Sequence, residues 1–231
     1  MSNLNHLAII MDGNARWASF NGMLPMDGHR KGAENAFNII EAAIKQNVKN
    51  LSLFAFSSEN WDRPADEVNN LLNLLSEFAN NESDKIRKLG IKIKFVGELS
   101  LLDKKILSSL EWIEKFSSNF DKINLYVMIS YGGRAEIIKA CKTIISHKVK
   151  ENEINNETFS KFFYAPELPD VDLLIRTGDK YRISNFLLWH CAYAEFYFSK
   201  KMWPDFNAKD LRNAIKDYEK RNRSFGQRSE K

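Results

Sequence analysis

Short apolar runs alternate with longer amphipathic stretches along the chain, and the two patterns have different periods. Six runs are compact and rich in Val, Ile, Leu and Phe, as strands buried on both faces are. The runs are His6–Met11, Leu51–Phe56, Ile91–Val96, Ile123–Ile129, Asp172–Ile175 and the weaker Tyr193–Phe198. Between them, apolar residues recur every three or four positions, which predicts amphipathic helices.

Five helices are predicted by this spacing. Their apolar stripes are Ala33, Phe37, Ile40 and Ile44; Val68, Leu71, Leu72, Leu75 and Phe78; Ile106, Leu110 and Ile113; Ile137, Cys141 and Ile144; and Leu211, Ile215 and Tyr218. Strands separated by helices indicate βαβ units, so we predict an α/β fold with a mainly parallel sheet covered on both faces. Ligands of such sheets bind beyond the carboxyl ends of the strands.

Composition narrows the protein class. The 231 residues fit one large domain or at most two small ones, and 44% hydrophobic content excludes a disordered chain. Two cysteines without a CxxC motif argue against a disulfide framework or zinc site and favour a reducing compartment. No signal peptide is visible, and the apolar stretch Phe186 to Phe198 is interrupted and shorter than the roughly 20 residues of a bilayer span. We therefore expect a soluble, cytoplasmic protein.

The net charge of +4, from 34 basic and 30 acidic residues, is mild. It is compatible with anionic substrates or a membrane surface, and equally with an ordinary mixed-charge surface.

The first candidate site follows the first strand, where the chain reads Met11-Asp12-Gly13-Asn14-Ala15-Arg16-Trp17. A carboxylate at a strand end, followed by a helix start and an arginine, can hold a metal or a phosphate. The alternative is a simple turn in which Asp12 caps the next helix.

The second candidate follows the second strand and reads Ser57-Ser58-Glu59-Asn60-Trp61-Asp62-Arg63-Pro64. Helix capping would explain the two serines and the proline, but not the crowding of polar and aromatic residues between them. The pair His29-Arg30 is a weaker candidate, because a solvated helix start explains it well.

The third candidate spans Arg176 to Asn185, again directly after a strand. Arg176, Arg182 and the Ser184 hydroxyl form a plausible diphosphate grip. Glu195 lies in an otherwise apolar stretch, where a carboxylate is costly unless it is paired or binds a metal. Asp12 and Glu195 could share one hard cation with diphosphate oxygens. Because no DDxxD pair, P-loop or GxGxxG is present, the residues alone indicate only an α/β protein with an anionic-ligand, metal-assisted site.

Ordered blocks of the chain resemble a known family, the cis-prenyltransferases typified by undecaprenyl diphosphate synthase. The blocks are His6–Trp17, Gly28–Gly32, Leu53–Pro64, Ile129–Arg134, Asp172–Gly178, Arg182–Trp189, Tyr193–Phe198 and Trp203–Phe206. The resemblance runs from about Leu4 to Gly226, which implies a single domain over residues 1–231.

The resemblance implies a homodimer of six-stranded, mainly parallel sheets flanked by helices, with a hydrophobic tunnel for the growing chain. It implies a Mg²⁺-dependent enzyme that condenses farnesyl diphosphate with isopentenyl diphosphate, with membrane contact for product release and no nucleic-acid partner. Asp12 would be the essential carboxylate and a Mg²⁺ ligand, Glu195 the second ligand, and Asn60 the residue at the proton-acceptor position. An amide is a poor base, so Asn60 would position the proton instead.

The resemblance also assigns two substrate subsites. The allylic substrate would contact Gly13, Asn14, Ala15, Arg16, Trp17, His29 and Arg63, with Ser57, Ser58, Glu59 and Trp61 lining the same site. Isopentenyl diphosphate would contact Arg176, Arg182, Ile183 through its backbone, and Ser184.

The chain departs from the family at four positions. Ala15 replaces a glycine, Pro25 an arginine that contacts the allylic diphosphate, Tyr181 a histidine near Mg²⁺, and Ser224 an arginine that reaches the partner's active site. Two other readings stay open. A non-catalytic partner subunit would lack the first-strand Asp and the Ser-Glu-Asn-Trp loop, and a nucleic-acid module would carry a basic stripe with stacking aromatics.

Overall fold

A computed structural model describes residues 4–222 and contains one six-stranded sheet. The strands are β1 (His6–Ile10), β2 (Asn50–Ser57), β3 (Ile91–Val96), β4 (Ile123–Tyr131), β5 (Leu173–Arg176) and β6 (Glu195–Phe198). Their spatial order is β3-β4-β2-β1-β5-β6, and every neighbouring pair is parallel. All six predicted strands and the α/β class are confirmed, with shifts of one or two residues at most ends.

The described residues contain eight α-helices, of which the first seven lie between strands and the last follows β6. They are α1 (Asn14–Phe20), α2 (Pro25–Lys45), α3 (Ala65–Asn81), α4 (Ser83–Leu89), α5 (Lys104–Ser117), α6 (Gly133–Ser146), α7 (Asn156–Ser160) and α8 (Ala208–Glu219). Four short 3₁₀ helices cover Ser58–Asp62, Leu99–Leu101, Glu151–Glu153 and Trp203–Asp205. The five predicted helices correspond to α2, α3, α5, α6 and α8. No helix in this part of the chain is long and apolar enough to cross a bilayer.

The two faces of the sheet are covered differently. On one face, apolar residues of α2, α3, α5 and α8 pack against alternate strand residues and form the larger core. The other face is covered mainly by non-helical chain around residues 163–171 and 186–191, whose side chains form a second apolar cluster. The spacing of apolar residues in the sequence predicts the helices that cover the first face. The non-helical chain on the second face has no regular spacing, so its position could not be predicted in this way.

The apolar stripe that was predicted for α6 is wrong in part. Cys141 is exposed, and Ile137 is only half-buried. The helix instead buries Glu136, Ala140 and Ile144. Glu136 can lie inward because its carboxyl accepts a hydrogen bond from the Tyr131 hydroxyl at 2.5 Å, which satisfies a buried polar group.

Two buried histidines, His6 and His190, lie near the amino ends of the strands. The Nε2 atom of His6 lies 2.8 Å from Ser52 Oγ, and Nδ1 lies 2.7 Å from the carbonyl oxygen of Pro169. Burial lowers the pKa of His6 to about 4, although the Pro169 carbonyl and Asp172 oppose this shift. Burial, helped by His6, likewise lowers the pKa of His190 to about 4.

These two pKa values predict acid sensitivity. Both histidines are neutral in the fold, so below the ordinary pKa of 6.5 the unfolded chain takes up protons that the folded chain does not. Stability should be full above about pH 6.5 and fall as the pH drops toward 4. Urea unfolding should show that His6→Gln or His190→Gln reduces the loss between about pH 7.5 and pH 5 by about 2 kcal/mol. The exposed His147→Gln is the control, and an unchanged loss in His6→Gln would contradict the prediction.

Candidate active site

A polar pocket lies at the carboxyl ends of β1, β2 and β5. Because β1 lies between β2 and β5, the three candidate segments that follow these strands converge at one edge of the sheet. The pocket is lined by Ile10, Met11, Asp12, Asn14, His29, Phe54, Ala55, Ser57, Glu59, Asn60, Arg63, Leu71, Arg176, Arg182, Ser184 and Asn185.

Asp12 is held between two arginines and does not cap a helix. The N-cap of α1 is Gly13, with φ 113°, where a Cβ would lie 2.9 Å from Met202 Cβ. One carboxylate oxygen of Asp12 lies 3.0 Å from Arg16 Nη2, and the other lies 2.8 Å from Arg176 Nη2. The simple-turn alternative fails, because the carboxylate points to cations and not to the helix backbone.

Arg176 is 4% exposed and joins β1 to the segment that follows β5. Its Nη1 donates to the carbonyl oxygen of Arg182 at 2.6 Å and to Ser184 Oγ at 2.7 Å. We call Arg176, Arg182 and Ser184 the diphosphate grip. The buried guanidinium sets the position of the other two members, while the Arg182 side chain remains exposed.

Three buried polar atoms around this pocket have no hydrogen-bond partner within the described residues. They are Asn14 Oδ1, His29 Nε2 and Arg176 Nε. Buried polar groups are rarely left unpaired, and those that are call for a functional explanation. Their convergence on one pocket indicates a polar ligand.

The segment after β2 forms a 3₁₀ helix whose side chains hold one another. Asn60 Oδ1 accepts the backbone N–H of Ser57 at 3.0 Å, and Trp61 Nε1 donates to Ser130 Oγ at 2.9 Å. Partial burial alone would raise the pKa of Glu59, but hydrogen bonds from Asn185 and neighbouring groups outweigh it and lower the pKa. Glu59 is therefore an anion at neutral pH.

His29 and Arg63 border the pocket from α2 and from the segment before α3. Burial, followed by the charge of Arg63, lowers the pKa of His29. His29 is therefore neutral at physiological pH and can hydrogen-bond without adding charge. The ionised groups that line the pocket are three arginines and two carboxylates, so the site favours an anion.

An apolar cavity adjoins the polar pocket. It is enclosed by the sheet, α2 and α3, and its empty volume is about 770 Å³ including its mouth. From α3 it is lined by Leu71, Leu74, Leu75 and Phe78. Asn14 and His29 line both spaces, so a polar head and an apolar tail of one ligand could occupy them together.

The structure brings together ten of the residues that were proposed from the sequence. These are Asp12, Asn14, His29, Ser57, Glu59, Asn60, Arg63, Arg176, Arg182 and Ser184. Others lie close but do not line the pocket: Gly13, Ala15, Arg16, Trp17, Ser58, Trp61 and Ile183. Trp17 Nε1 donates to Asp205 at 2.9 Å, which turns the indole away from the pocket.

Glu195 lies apart from Asp12 within the chain. It begins β6 and is in register with Leu173, whereas Arg176 is in register with Phe198. This offset of three residues places Glu195 roughly 10 Å back along the strands from the level of the diphosphate grip. Its carboxylate pairs with Arg221 Nη1 at 2.8 Å. The idea that Asp12 and Glu195 of one chain share a cation is not supported.

The remaining residues can still hold Mg²⁺ together with a substrate. Within residues 4–222, no three His, Cys, Asp or Glu side chains gather into a metal site. Mg²⁺ commonly binds through one or two carboxylates plus substrate phosphates, and Asp12, with a side chain 26% exposed, offers one. The donor set therefore fits a metal that arrives with a diphosphate.

Three of the four positions at which the chain departs from the family pattern lie within the described residues, and Ala15 is the second residue of α1. Pro25 is the first residue of α2. Tyr181 is 66% exposed, and its hydroxyl donates to Asp179 at 3.2 Å. Ser224 lies outside the described residues.

Sequence reasoning missed Asn185 as a site residue. It lines the pocket, and its amide contacts both Glu59 and the start of α6. Its place directly after Ser184, at the end of the third candidate segment, was the available signal. The apolar lining residues Phe54 and Ala55 were also missed, because strand residues at a pocket look like ordinary core residues in sequence.

Sequence comparison identifies similar proteins over the whole chain. A family model described as “Putative undecaprenyl diphosphate synthase” matches residues 10–226. The isoprenyl transferase of Rickettsia typhi is 47% identical, with 99% of this chain and 100% of that protein covered. The isoprenyl transferase of Aquifex pyrophilus is 45% identical, with 96% and 95% covered.

Two solved structures have the same fold. Lavandulyl diphosphate synthase from Lavandula x intermedia, in complex with dimethylallyl diphosphate, superposes with a TM-score of 0.93 at 31% identity. The alignment covers 97% of this chain and 98% of that one. A “probable undecaprenyl diphosphate synthase” from Campylobacter jejuni has a TM-score of 0.83 and 35% identity, with 98% and 100% covered.

The exposed Arg182 allows a clean test of the diphosphate grip. Arg182→Ala should weaken binding of inorganic diphosphate about 10-fold to 100-fold, because it removes a charge-assisted contact from an exposed side chain. Isothermal titration calorimetry measures this, and Lys180→Ala, an exposed cation outside the pocket, is the matched control. If both variants weaken diphosphate binding equally, binding depends on the local positive charge and not on a specific contact with Arg182.

Proposed function

The chain belongs to the undecaprenyl diphosphate synthase family of isoprenyl transferases, and we propose that it extends farnesyl diphosphate with isopentenyl diphosphate to make undecaprenyl diphosphate, a lipid-carrier precursor for cell-wall synthesis. Family membership supports prenyl chain elongation in cis. The primer and the product length belong to the proposal. It rests chiefly on one observation: an arginine-rich pocket continues into an apolar cavity through Asn14 and His29.

The two halves of the pocket suit two diphosphates. The allylic diphosphate would lie near Asn14, His29 and Arg63, because its apolar tail then enters the adjoining cavity. Dimethylallyl diphosphate in the related lavandulyl diphosphate synthase supports allylic binding by this fold. Isopentenyl diphosphate would lie at the diphosphate grip, where Arg176 holds both Arg182 and Ser184 by hydrogen bonds.

The reaction breaks the allylic C–O bond, forms a new C–C bond to the isopentenyl carbon, and releases a proton. Arg63 lines the pocket, and Arg16 contacts Asp12 beside it, so both would stabilise the charge that grows on the leaving diphosphate. Apolar residues at the cavity mouth keep the developing allylic cation away from water. Holding both substrates in one pocket makes a two-body reaction effectively unimolecular.

Mg²⁺ is the proposed cofactor, and Asp12 is the residue that would hold it together with diphosphate oxygens. When bound, the ion would offset negative charge on the phosphates. The two arginines that now contact Asp12 hold its carboxylate in place at the pocket.

Asn60 stays in the proposal as a positioning group. Its Oδ1 is engaged by the Ser57 N–H, so its amide N–H₂ is the part that can face a substrate. An N–H donor can orient a diphosphate oxygen that accepts the proton, which fits the poor basicity of an amide.

A homodimer is part of the proposal, supported by the edge of the sheet. β6 is an edge strand in residues 4–222, and the large aromatic side chains of Tyr181 and Tyr193 beside it are 66% and 63% exposed. Edge strands with exposed aromatic residues beside them favour pairing with another chain. Glu195 belongs to this edge, so any role for it as a metal ligand would be exercised across such an interface.

The proposed site of action is the cytoplasm, with contact to the inner face of the plasma membrane when the product leaves. A chain of many isoprene units is too apolar for water and must pass to a bilayer. The two other readings lose support, because Asp12, Glu59 and Asn60 are present and line the pocket, and the family match covers nearly the whole chain.

The activity itself can be tested with labelled isopentenyl diphosphate, farnesyl diphosphate and Mg²⁺, followed by sizing of the products. Asp12→Ala should lower turnover by about two orders of magnitude or more, because it removes the carboxylate that orients the metal. The melting temperature of the variant shows whether the fold is intact. An Asp12→Ala enzyme that melts normally and keeps most of its activity would refute the mechanism.

The cavity makes a second prediction about product length. Leu75 lines the cavity, whereas Leu72, three residues earlier on α3, is 4% exposed and packs in the core. Leu75→Trp should shorten the products while the first condensation continues at a near-normal rate. Leu72→Trp is the matched control and should lower stability by about 1–3 kcal/mol without changing the length profile. Identical product-length profiles for Leu75→Trp and the unmodified enzyme would show that the growing chain does not occupy this cavity.

A further inference from the structure

Asn185 lines the pocket and joins its own segment to two others. Its side-chain Nδ2 donates to Glu59 Oε1 at 2.7 Å, and its Oδ1 accepts the backbone N–H of Arg134 at 2.9 Å. Its own carbonyl oxygen accepts the N–H of Gly133 at 2.7 Å. Asn185 thereby connects the segment after β5, the segment after β2 and the start of α6.

The start of α6 depends on this contact. The N-cap of α6 is Gly132, which has no side chain to accept the first free N–H groups of the helix. Asn185 supplies both acceptors from a position 51 residues away in sequence. Since α6 is fixed to β4, the end of the diphosphate grip is anchored to the sheet through Asn185.

The junction leaves little room for rearrangement. A Cβ at Gly132 would lie 2.4 Å from Ser58 Oγ and 2.7 Å from Asn185 Nδ2. Ser184 and Asn185 have φ values of 47° and 62°, in the left-handed region. Asparagine tolerates this region better than most residues, so the backbone there also favours an Asn.

We propose that Asn185 is a positioning residue that holds Glu59 and the diphosphate grip in one fixed relation. It would thereby orient isopentenyl diphosphate relative to the allylic carbon that it attacks. The inference rests on the proposed function of the pocket, but the junction itself can be tested without turnover.

The amide is essential to this role because Glu59 is an anion. An Asn can donate to a carboxylate with Nδ2 while Oδ1 accepts from α6. An Asp at the same place keeps the acceptor for Arg134 but sets a second carboxylate against Glu59. Two carboxylates at hydrogen-bond distance share a proton, so one of them titrates at a higher pH than usual.

Asn185→Asp is therefore the informative variant. Its KM for isopentenyl diphosphate should rise about 10-fold to 100-fold at pH 8 or above, which is the change expected from the loss of one charge-assisted hydrogen bond. The defect should shrink as the pH falls toward about 6, because a shared proton restores the hydrogen bond. The KM for farnesyl diphosphate should change much less. Asn185→Ala should show the higher KM without the recovery at low pH.

Other ionisable groups face Glu59 and Asn185, so each pH profile is divided by that of the unmodified enzyme. These groups are Asp12 from β1, His29 from α2, Arg63 from the segment before α3, Arg176 from β5 and Arg182 after it. Asn80→Asp, a comparable change on α3 outside the pocket, is the control and should follow the unmodified profile.

The pair Asn185→Asp with Glu59→Gln reverses the direction of the hydrogen bond. The amide introduced at position 59 would donate to the new carboxylate, so the double variant should bind isopentenyl diphosphate about 10-fold better than Asn185→Asp and lose its pH dependence. Calorimetric binding gives this comparison even if Glu59→Gln is inactive. A double variant no better than Asn185→Asp, together with an unmodified pH profile in Asn185→Asp, would overturn the proposal.

Hydrogen exchange separates this inference from the proposed function. In Asn185→Ala the amide of Arg134, which loses its acceptor Oδ1, should exchange at least about 10-fold faster than in the unmodified protein, whereas the amide of Gly133 keeps the backbone carbonyl of residue 185 as its acceptor. An unmodified protein that does not use isopentenyl diphosphate would end the proposed function, whereas unchanged exchange in Asn185→Ala would end the positioning role.

Discussion

The buried guanidinium of Arg176 determines how the site is assembled. A charge that is 4% exposed is costly unless it is paired and hydrogen-bonded, and Asp12, Arg182 and Ser184 supply partners for both Nη atoms. The ion pair with Asp12 connects β1 to β5, and the other two contacts hold the segment that follows β5. One side chain therefore orients the carboxylate and shapes the anion pocket. Removal of Asp12 would leave the buried charge of Arg176 without its ion-pair partner.

Much of the fold follows from two simple signals. Central strands of a parallel sheet are buried on both faces, so β1, β2 and β4 are nearly continuous apolar runs that are easy to identify. The connections that return the chain to the same edge of the sheet then place residues 12, 57 and 176 side by side. The position of the pocket was predictable from this rule alone, and the particular substrates came from the family resemblance.

The differences from expectation concern features that sequence patterns do not encode. Glu195 was grouped with Asp12 because of its apolar surroundings and the family resemblance. It begins its strand, so the two carboxylates lie apart within one chain, and its role as a metal ligand stays a prediction. The buried face of α6 was misjudged because Glu136 looks like a surface residue until its partner Tyr131 is known. Asn185 was missed because its three partners are distant in sequence and only the folded chain brings them together.

The sharing of Asn14 and His29 by the polar pocket and the apolar cavity has a consequence for inhibition. Asn14 and His29 are the polar members of the lining that the two spaces share, so the spaces cannot be occupied independently at their junction. A neutral, elongated compound that fills the apolar cavity up to this junction would exclude a diphosphate substrate while carrying no negative charge. Such a compound would avoid the poor membrane permeation of phosphate mimics.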